Sequence, residues 1–226
     1  VSAKFPHTQG GTTGEVILLD LENGRRILHD RRTGQQVEDV AWSPDGDLVA
    51  AGADNILKIW DAETGELLHS LFGHTGLITS LDWWEDPSSR VLVTGADDGT
   101  AKVWSILAAG PKETVSLSSP EVSNVTGVAF SPDGTQVMIG NDVTSPGIKI
   151  WDVSAAGDAE WVNLPADSWG PAFFLSERRV LASGGGGGPW SGSVTLWDVD
   201  APSEPRRVWT IDRPAWYREC CAFDLG

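Results

Sequence analysis

The sequence predicts an all-β fold, a β-propeller of four-stranded antiparallel blades, with about five blades visible in 226 residues. The first observation is a repeat with one anchor residue per unit, at Leu19, Trp60, Trp104, Trp151 and Trp197, in steps of 41, 44, 47 and 46 residues. The second observation is an independent anchor earlier in each unit, at Trp42, Trp83, Phe130, Phe174 and Phe223. A period of roughly 40–45 residues is that of a propeller blade.

The third observation is the strand–turn–strand pattern inside a unit, clearest over Val91–Trp104. Val91, Leu92 and Val93 form a β-favouring run. The following Asp-Asp-Gly, ending at Gly99, is typical of a tight hairpin turn, because glycine readily adopts a positive φ. The alternation that follows, with Ala101 and Val103 as its apolar members, predicts a half-buried strand.

The elements can be assigned in chain order. Residues 1–33 hold the later part of one blade, with strands near Val16–Asp20 and Arg26–Asp30. Complete blades are predicted over residues 36–72, 77–117, 125–164 and 169–211. Residues 216–226 hold the first strand of a further blade.

The two terminal fragments have complementary lengths. In the complete units the two anchors are 18, 21, 21 and 23 residues apart, and joining residue 226 to residue 1 places Phe223 and Leu19 22 residues apart. Two alternatives stay open. The fragments pair into a fifth blade and close the ring, which protects the sheet edges, or the chain is part of a longer propeller.

Short motifs at the ends of the strands resemble those of the WD-repeat family. Trp-Asp dipeptides end three units, at Trp60-Asp61, Trp151-Asp152 and Trp197-Asp198. Gly73-His74 matches the family's Gly-His dipeptide, and Ser-Pro-Asp-Gly turns begin at Ser43 and Ser131. The resemblance covers nearly the whole chain and implies a propeller that binds proteins and has no catalytic role.

The same resemblance implies a structural hydrogen-bond tetrad in one blade. His74, Thr94, Asp98 and Trp104 fall at the family's tetrad positions, and Ala51 replaces the hydroxyl residue in the preceding blade. Such residue types also occur in hydrolases. The tetrad is the favoured interpretation, since a buried indole N–H, hydroxyl and imidazole each need a partner.

Charge and cysteine content limit the classes of partner. The formal net charge is −16, with 16 basic and 32 acidic residues. This balance disfavours direct binding to nucleic acid or to anionic membranes, and it suits solubility or a basic protein partner. The two cysteines, Cys220 and Cys221, are adjacent, so no disulfide framework is possible and a cytoplasmic location is expected.

We expect no cofactor, no metal and no enzymatic activity. His7, His29 and His69 are scattered, with no carboxylate or cysteine at metal-ligand spacing. The glycine run Gly184–Gly188 lacks the Lys-Ser/Thr ending of a phosphate-binding loop. It is interpreted as a long turn between two strands.

A candidate partner-binding patch combines aromatic and arginine side chains predicted to lie on one face of the propeller. Trp190 lies in a turn between strands, and Trp216 lies in the connection that enters the next blade. The remaining members are Trp169, Arg213 and Tyr217. Aromatic and Arg side chains are favoured anchors in interfaces, although these Trp residues could instead cover a seam between blades.

The predicted function is therefore that of a non-catalytic scaffold for protein partners, as the propeller part of a larger signalling or regulatory protein. The alternative is a small-ligand site or an enzyme that uses the central channel. Residues near the start of successive inner strands could line this channel, namely Glu38, Thr79, Thr126 and Glu219.

Overall fold

The computed structural model describes residues 14–30, 36–86, 89–107, 110–119, 121–141, 147–154, 161–164, 172–184, 192–200 and 205–213. Within these ranges every regular element is a β-strand, which confirms the predicted all-β fold class. No helix in these ranges is long and apolar enough to cross a membrane. The predicted pairing of the terminal fragments 1–33 and 216–226 stays a prediction, because residues 216–226 lie outside the described ranges, as do residues 1–13.

The first sheet has two antiparallel strands, β1 (Val16–Leu19) and β2 (Arg26–Asp30). Four antiparallel sheets of four strands follow, and we call them the first to fourth blades. In each blade the spatial order of the strands is their order in the chain.

The strand bounds of the first two blades are β3 (Val37–Trp42), β4 (Leu48–Ala53), β5 (Ile56–Asp61), β6 (Leu67–Phe72), β7 (Ile78–Asp86), β8 (Ser89–Ala96), β9 (Thr100–Leu107) and β10 (Gly110–Ser118). Those of the third and fourth blades are β11 (Val125–Phe130), β12 (Gln136–Asn141), β13 (Ile148–Asp152), β14 (Trp161–Leu164), β15 (Ala172–Ser176), β16 (Arg179–Gly184), β17 (Gly192–Asp198) and β18 (Arg206–Arg213).

The hydrophobic core is divided among the seams between successive sheets. In each seam, a buried tryptophan of the third strand packs against the preceding sheet. Trp60 packs in one cluster with Val16 and Leu18 of the β1–β2 sheet. Trp151 of the third blade packs with Val93 and Val103 of the second. Trp104 and Trp197 take the same position in the other two seams. In each of the four blades, the tryptophan anchor therefore faces the sheet that precedes it in the chain.

Stacking changes the burial expected for β9. The sequence predicted a half-buried strand, but Ala101, Val103 and Trp104 are all buried while Lys102 is half-buried. The predicted alternation holds for Ala101, Lys102 and Val103 but not for Trp104, because the second blade lies between two others and the face that carries Trp104 is covered by the first blade. The periodicity of one isolated strand does not contain this information.

A hairpin turn joins the two inner strands of the first and third blades. In both turns the serine hydroxyl accepts a hydrogen bond from the backbone N–H five residues later, at 2.9 Å, in the pairs Ser43–Leu48 and Ser131–Gln136. Gly134 closes its turn with a φ of +69°, under the indole ring of Trp84 from the second blade. The turn of one blade is thereby packed on the inner strand of its neighbour.

Candidate functional site

The structure brings together the four side chains at the tetrad positions of the second blade. His74 lies in the connection from β6 to β7, Thr94 on β8, Asp98 in the turn between β8 and β9, and Trp104 on β9. Three elements of the blade and its entering connection thus meet at one point.

The hydrogen bonds of this network run in one direction. The indole N–H of Trp104 donates to the Thr94 hydroxyl oxygen at 2.9 Å. This hydroxyl lies 2.8 Å from Nε2 of His74, and Nδ1 of His74 lies 3.1 Å from the Asp98 carboxylate. Because ionised Asp98 can only accept, the proton of His74 belongs on Nδ1 and the Thr94 hydroxyl donates to Nε2. Every polar side-chain atom of these four residues then has a partner.

Asp98 accepts further hydrogen bonds from the connection that enters the blade and from the start of β9. Its carboxylate accepts from the Thr100 hydroxyl at 2.6 Å, from the Thr75 backbone N–H at 2.8 Å and from the Thr100 backbone N–H at 3.0 Å. Burial alone raises the pKa of Asp98, but these hydrogen bonds outweigh it and lower the pKa to about 2. The carboxylate is therefore ionised at neutral pH.

The network has no access to a substrate. The side chain of Thr94 is fully buried, and His74 is only 4% exposed. Burial lowers the pKa of His74, so its imidazole is neutral at pH 7. A neutral histidine between a buried hydroxyl and a carboxylate fixes the connection to the blade, and no reacting atom can approach the hydroxyl.

The other three four-stranded blades have apolar residues at the position of Thr94. Register through the inner strands places Ala51 of the first blade, Ile139 of the third and Ala182 of the fourth there. The second blade is also tied to the first outside the network, because the Asn55 side-chain amide donates to the His74 carbonyl at 3.1 Å.

Two carboxylates link the innermost strands of successive blades, and neither was predicted from the sequence. Asp39 on β3 accepts from the Leu81 backbone N–H at 2.9 Å, and Asp82 on β7 accepts from the Phe130 backbone N–H at 2.8 Å. Ser80 adds a weaker link, accepting from the Val128 N–H at 3.3 Å. The two acids are not at the same repeat position, so no sequence period marks them.

These two acids have pKa values shifted in the direction opposite to that of Asp98. Burial raises the pKa of Asp39 and of Asp82, and the charge of Asp39 raises that of Asp82 further.

Among the predicted channel residues, Glu38 and Thr126 are exposed, while the Thr79 hydroxyl donates to the Gly95 and Val125 carbonyls. Glu219 lies outside the described residues.

Buried lysines form a second set of links. Lys149 on β13 is 2% exposed and its Nζ lies 2.7 Å from Glu121, in the connection that enters the third blade. Lys58 on β5 lies 3.2 Å from Asp30 of the β1–β2 sheet. A lysine two residues before the tryptophan anchor recurs in three units, at Lys58, Lys102 and Lys149. That spacing was the available signal for these ion pairs.

The predicted partner-binding patch is not placed by the structure. Trp169, Trp190, Trp216 and Tyr217 lie outside the described residues, as do the glycines after Gly184. Arg213 ends β18, and its side chain is likewise outside the description. The patch therefore stays a prediction.

Within the described ranges, no group of three or more His, Cys, Asp or Glu side chains could hold a metal ion.

Stacked four-stranded antiparallel sheets with backward-facing tryptophans define a β-propeller protein, and the His74 network is a structural site of its second blade. Comparison with known families agrees with this class. A model described as the WD40 domain of anaphase-promoting complex subunit 4 matches residues 10–86, and one described as the WD domain, G-beta repeat, matches residues 112–152. The chain belongs to the WD-repeat family.

Individual relatives are similar over half of the chain or more. The periodic tryptophan protein 2 homolog of Neurospora crassa is 37% identical over 147 residues, covering 64% of this chain and 15% of the relative. Protein HIR1 of Cryptococcus neoformans is 34% identical over 132 residues, covering 57% and 15%. The DENN domain and WD repeat-containing protein SCD1 of Arabidopsis thaliana is 42% identical over 138 residues, covering 52% and 11%. The chain thus spans a small fraction of the length of these relatives.

Proposed function

We propose that this chain is a non-catalytic scaffold that presents a rigid surface to protein partners. The observation that carries the proposal is the His74 network, a hydroxyl, imidazole and carboxylate constellation that is sealed from solvent at Thr94. Its role is to fix the connection that enters the second blade. Family membership adds support, because WD-repeat proteins are interaction scaffolds.

The scaffold is proposed to be the propeller part of a larger signalling or regulatory protein in the cytoplasm. The relatives support the larger protein, since each is several times longer than its match to this chain. The Arabidopsis relative is named for WD repeats and a DENN domain in one protein. The net charge of −16 favours a basic protein partner over nucleic acid or an anionic membrane.

The proposed binding surface contains Trp190 and Trp216, and a matched set of variants tests it. Proximity labelling in cells compares the wild type with the Trp190→Ala/Trp216→Ala variant. Leu21→Ala is the control, because Leu21 is a 66% exposed apolar residue in the β1–β2 turn. We expect the double variant to lose a set of proteins that the control keeps. Unchanged labelling by the double variant would contradict the proposed surface.

A second candidate function is small-ligand binding in the central channel. The observation that favours it is the pair Asp39 and Asp82 on neighbouring innermost strands, since burial raises the pKa of both carboxyls and perturbed carboxyls occur in functional sites. A thermal-shift screen of cationic metabolites distinguishes the two functions. A saturable shift that Asp82→Asn abolishes favours the channel, and partner labelling without any such shift favours the scaffold.

A further inference from the structure

The outermost strand of the first blade, β6, has an unusual composition for the edge of a sheet. Among the described strands it pairs with β5 alone, so its other side presents a row of N–H and C=O groups to solvent. Proteins protect such edges with charged residues, with proline or by keeping the strand short. The sequence of β6, Leu-Leu-His-Ser-Leu-Phe, contains no Lys, Arg, Asp, Glu or Pro.

The outermost strands of the other described sheets each have one of these protections. Strand β2 begins with Arg26 and ends with Asp30, and β10 contains Pro111, Lys112 and Glu113 in succession. Strand β18 begins with two arginines, and β14 is only four residues long. Among the described sheets, β6 is therefore the edge that is left open to pairing with another strand.

The register identifies which residues of β6 direct their backbone groups away from β5. The Asp61 N–H donates to the Glu66 carbonyl at 2.9 Å. Hydrogen-bonded pairs alternate with non-hydrogen-bonded pairs along an antiparallel ladder. Counting along β5 from Asp61, the members of β6 in non-hydrogen-bonded pairs are Leu67, Ser70 and Phe72. The N–H and C=O groups of these three residues point outward, where a further strand would bind.

Large apolar side chains accompany this open backbone edge. Leu67 is 45% exposed and Phe72 is 70% exposed. The register places Ser118 of the second blade and Asp212 of the fourth at the position of Phe72. A phenylalanine at an edge position that is polar in two other blades indicates contact with a partner, because aromatic residues are enriched in interfaces.

The turn that leads into β6 is acidic. Residues 61–66 contain Asp61, Glu63 and Glu66 and no Lys or Arg. Asp61 is used within the turn, where it accepts two backbone N–H groups, whereas Glu63 and Glu66 are exposed. The nearby Arg26 of β2 is engaged with Nδ1 of His29 at 2.8 Å. This end of the strand therefore has the charge to attract a basic segment.

We propose that β6 binds an extended segment of a basic protein partner by antiparallel strand addition. Backbone hydrogen bonds to Leu67, Ser70 and Phe72 add one strand to the first blade, and an apolar side chain of the segment covers Phe72. Lys or Arg near the C-terminal end of the segment lies beside Glu63 and Glu66. The antiparallel direction continues that of the blade and is the slightly more stable one.

The proposal rests on the scaffold function and deepens it by naming the kind of segment that is bound. It assigns a surface that shares no residue with the predicted partner-binding patch. The unpaired backbone edge specifies an extended chain, the exposed Phe72 specifies alternate apolar residues, and the acidic turn specifies the positive charge and the end at which it lies.

A fluorescent peptide, Thr-Val-Thr-Val-Thr-Val-Lys-Lys, tests the edge by fluorescence polarisation with the full 226-residue chain. Ser70→Pro removes one outward N–H and no hydrogen bond to β5, whereas Ser70→Ala is the control that keeps this N–H. We expect Ser70→Ala to bind as the wild type does and Ser70→Pro to bind about tenfold more weakly. Phe72→Ser, which copies the second blade, should also weaken binding.

Two changes to the peptide test the backbone and the direction. N-methylation of alternate residues removes the N–H groups from one edge of the peptide, so only one of the two possible patterns should abolish binding. This comparison replaces Ser70→Pro if that variant does not fold, as judged by its denaturant midpoint. A peptide with both lysines at its N-terminal end should bind more weakly, because it places them away from Glu63 and Glu66.

Saturable binding that Ser70→Pro weakens and Ser70→Ala keeps supports strand addition. The absence of saturable binding to the wild type overturns it, and so does equal binding by both variants. Light scattering tests the other occupant: a concentration-dependent dimer that Ser70→Pro abolishes overturns the peptide assignment and gives the edge to a second copy of the chain. The labelling experiment with Trp190 and Trp216 tests the scaffold function separately, so the two proposals can fail independently.

Discussion

The carboxylate of Asp82 accepts a hydrogen bond from the backbone N–H of Phe130 at 2.8 Å and so joins the innermost strands of the second and third blades. Burial and the nearby charge of Asp39 raise the pKa of Asp82 in the folded protein. The folded state therefore holds this proton more tightly than the unfolded state does. The stabilising contribution of protonated Asp82 is greatest at low pH and is lost as pH rises through its folded-state pKa.

Replacing Asp82 by Asn should change the pH dependence of stability. The Asn carbonyl can still accept the Phe130 N–H, but no charge has to be buried. We expect the unfolding free energy of Asp82→Asn, relative to the wild type, to increase steadily between pH 3 and pH 7. Urea denaturation at each pH measures it.

The control for Asp82→Asn is Asp133→Asn in the exposed turn before β12. Burial raises the pKa of Asp133, but hydrogen bonds from Ser131 and Thr135 together outweigh it and lower the pKa overall. Its contribution to stability is therefore present above the ordinary carboxyl pKa and is lost as pH falls. Asp133→Asn should lose stability relative to the wild type as pH rises. The same trend in both variants would contradict the opposite pKa shifts of Asp82 and Asp133.

Replacing Thr94 by Val should be costly although the two side chains have the same shape. The substitution removes the acceptor of the Trp104 N–H and the partner of His74 Nε2. Leaving buried polar groups unsatisfied costs about 1–3 kcal/mol. Thermal and chemical unfolding should show this loss. Thr195→Val is the control, since buried Thr195 shares one hydrogen bond with Thr210, and an equal loss in both would remove the special role of the network.

Replacing Asp98 by Asn should destabilise the chain at neutral pH and have less effect in acid. The pKa of Asp98 is about 2 when folded, below the unfolded value of about 3.9. Its stabilising contribution is complete above the unfolded value and is lost as pH falls towards 2. We expect a loss of about 2 kcal/mol at pH 7, shrinking below pH 4. The adjacent exposed Asp97→Asn is the control, and a pH-independent loss at Asp98 would contradict the explanation.

The sequence predicted the blades well because their signals are local and repeated. Tryptophan anchors and Ser-Pro-Asp-Gly turns fix where each strand begins and ends, independently of the neighbouring blades. The positions of His74 and Thr94 were also available, because the family resemblance places them. What brings them together is the connection from β6, which the sequence alone does not orient.

The links between blades were not predictable in the same way. Asp39 and Asp82 differ in repeat position, and each depends on the backbone of a strand more than 40 residues further along. The contacts of these two acids depend on how successive sheets pack, which leaves no period in the sequence. Lys149 does fall on a sequence period, but its burial depends on a neighbouring connection that presents Glu121.

A pair of glycine turns separates a steric effect from a backbone effect. Gly46 and Gly134 occupy equivalent turns with φ values of +80° and +69°. A methyl group on Gly46 would meet nothing within 4 Å, whereas one on Gly134 would lie 2.1 Å from the Trp84 indole. Gly46→Ala should therefore cost only the left-handed backbone conformation, about 1–2 kcal/mol.

Gly134→Ala should cost the same backbone term and a further steric penalty of about 1–3 kcal/mol, because the Trp84 ring must move. Repeating both substitutions in a Trp84→Leu background isolates the second term. In that background, chemical denaturation should show similar losses for Gly46→Ala and Gly134→Ala. If Gly134→Ala keeps its larger loss without the indole ring, the contact between the second blade and the turn of the third does not account for it.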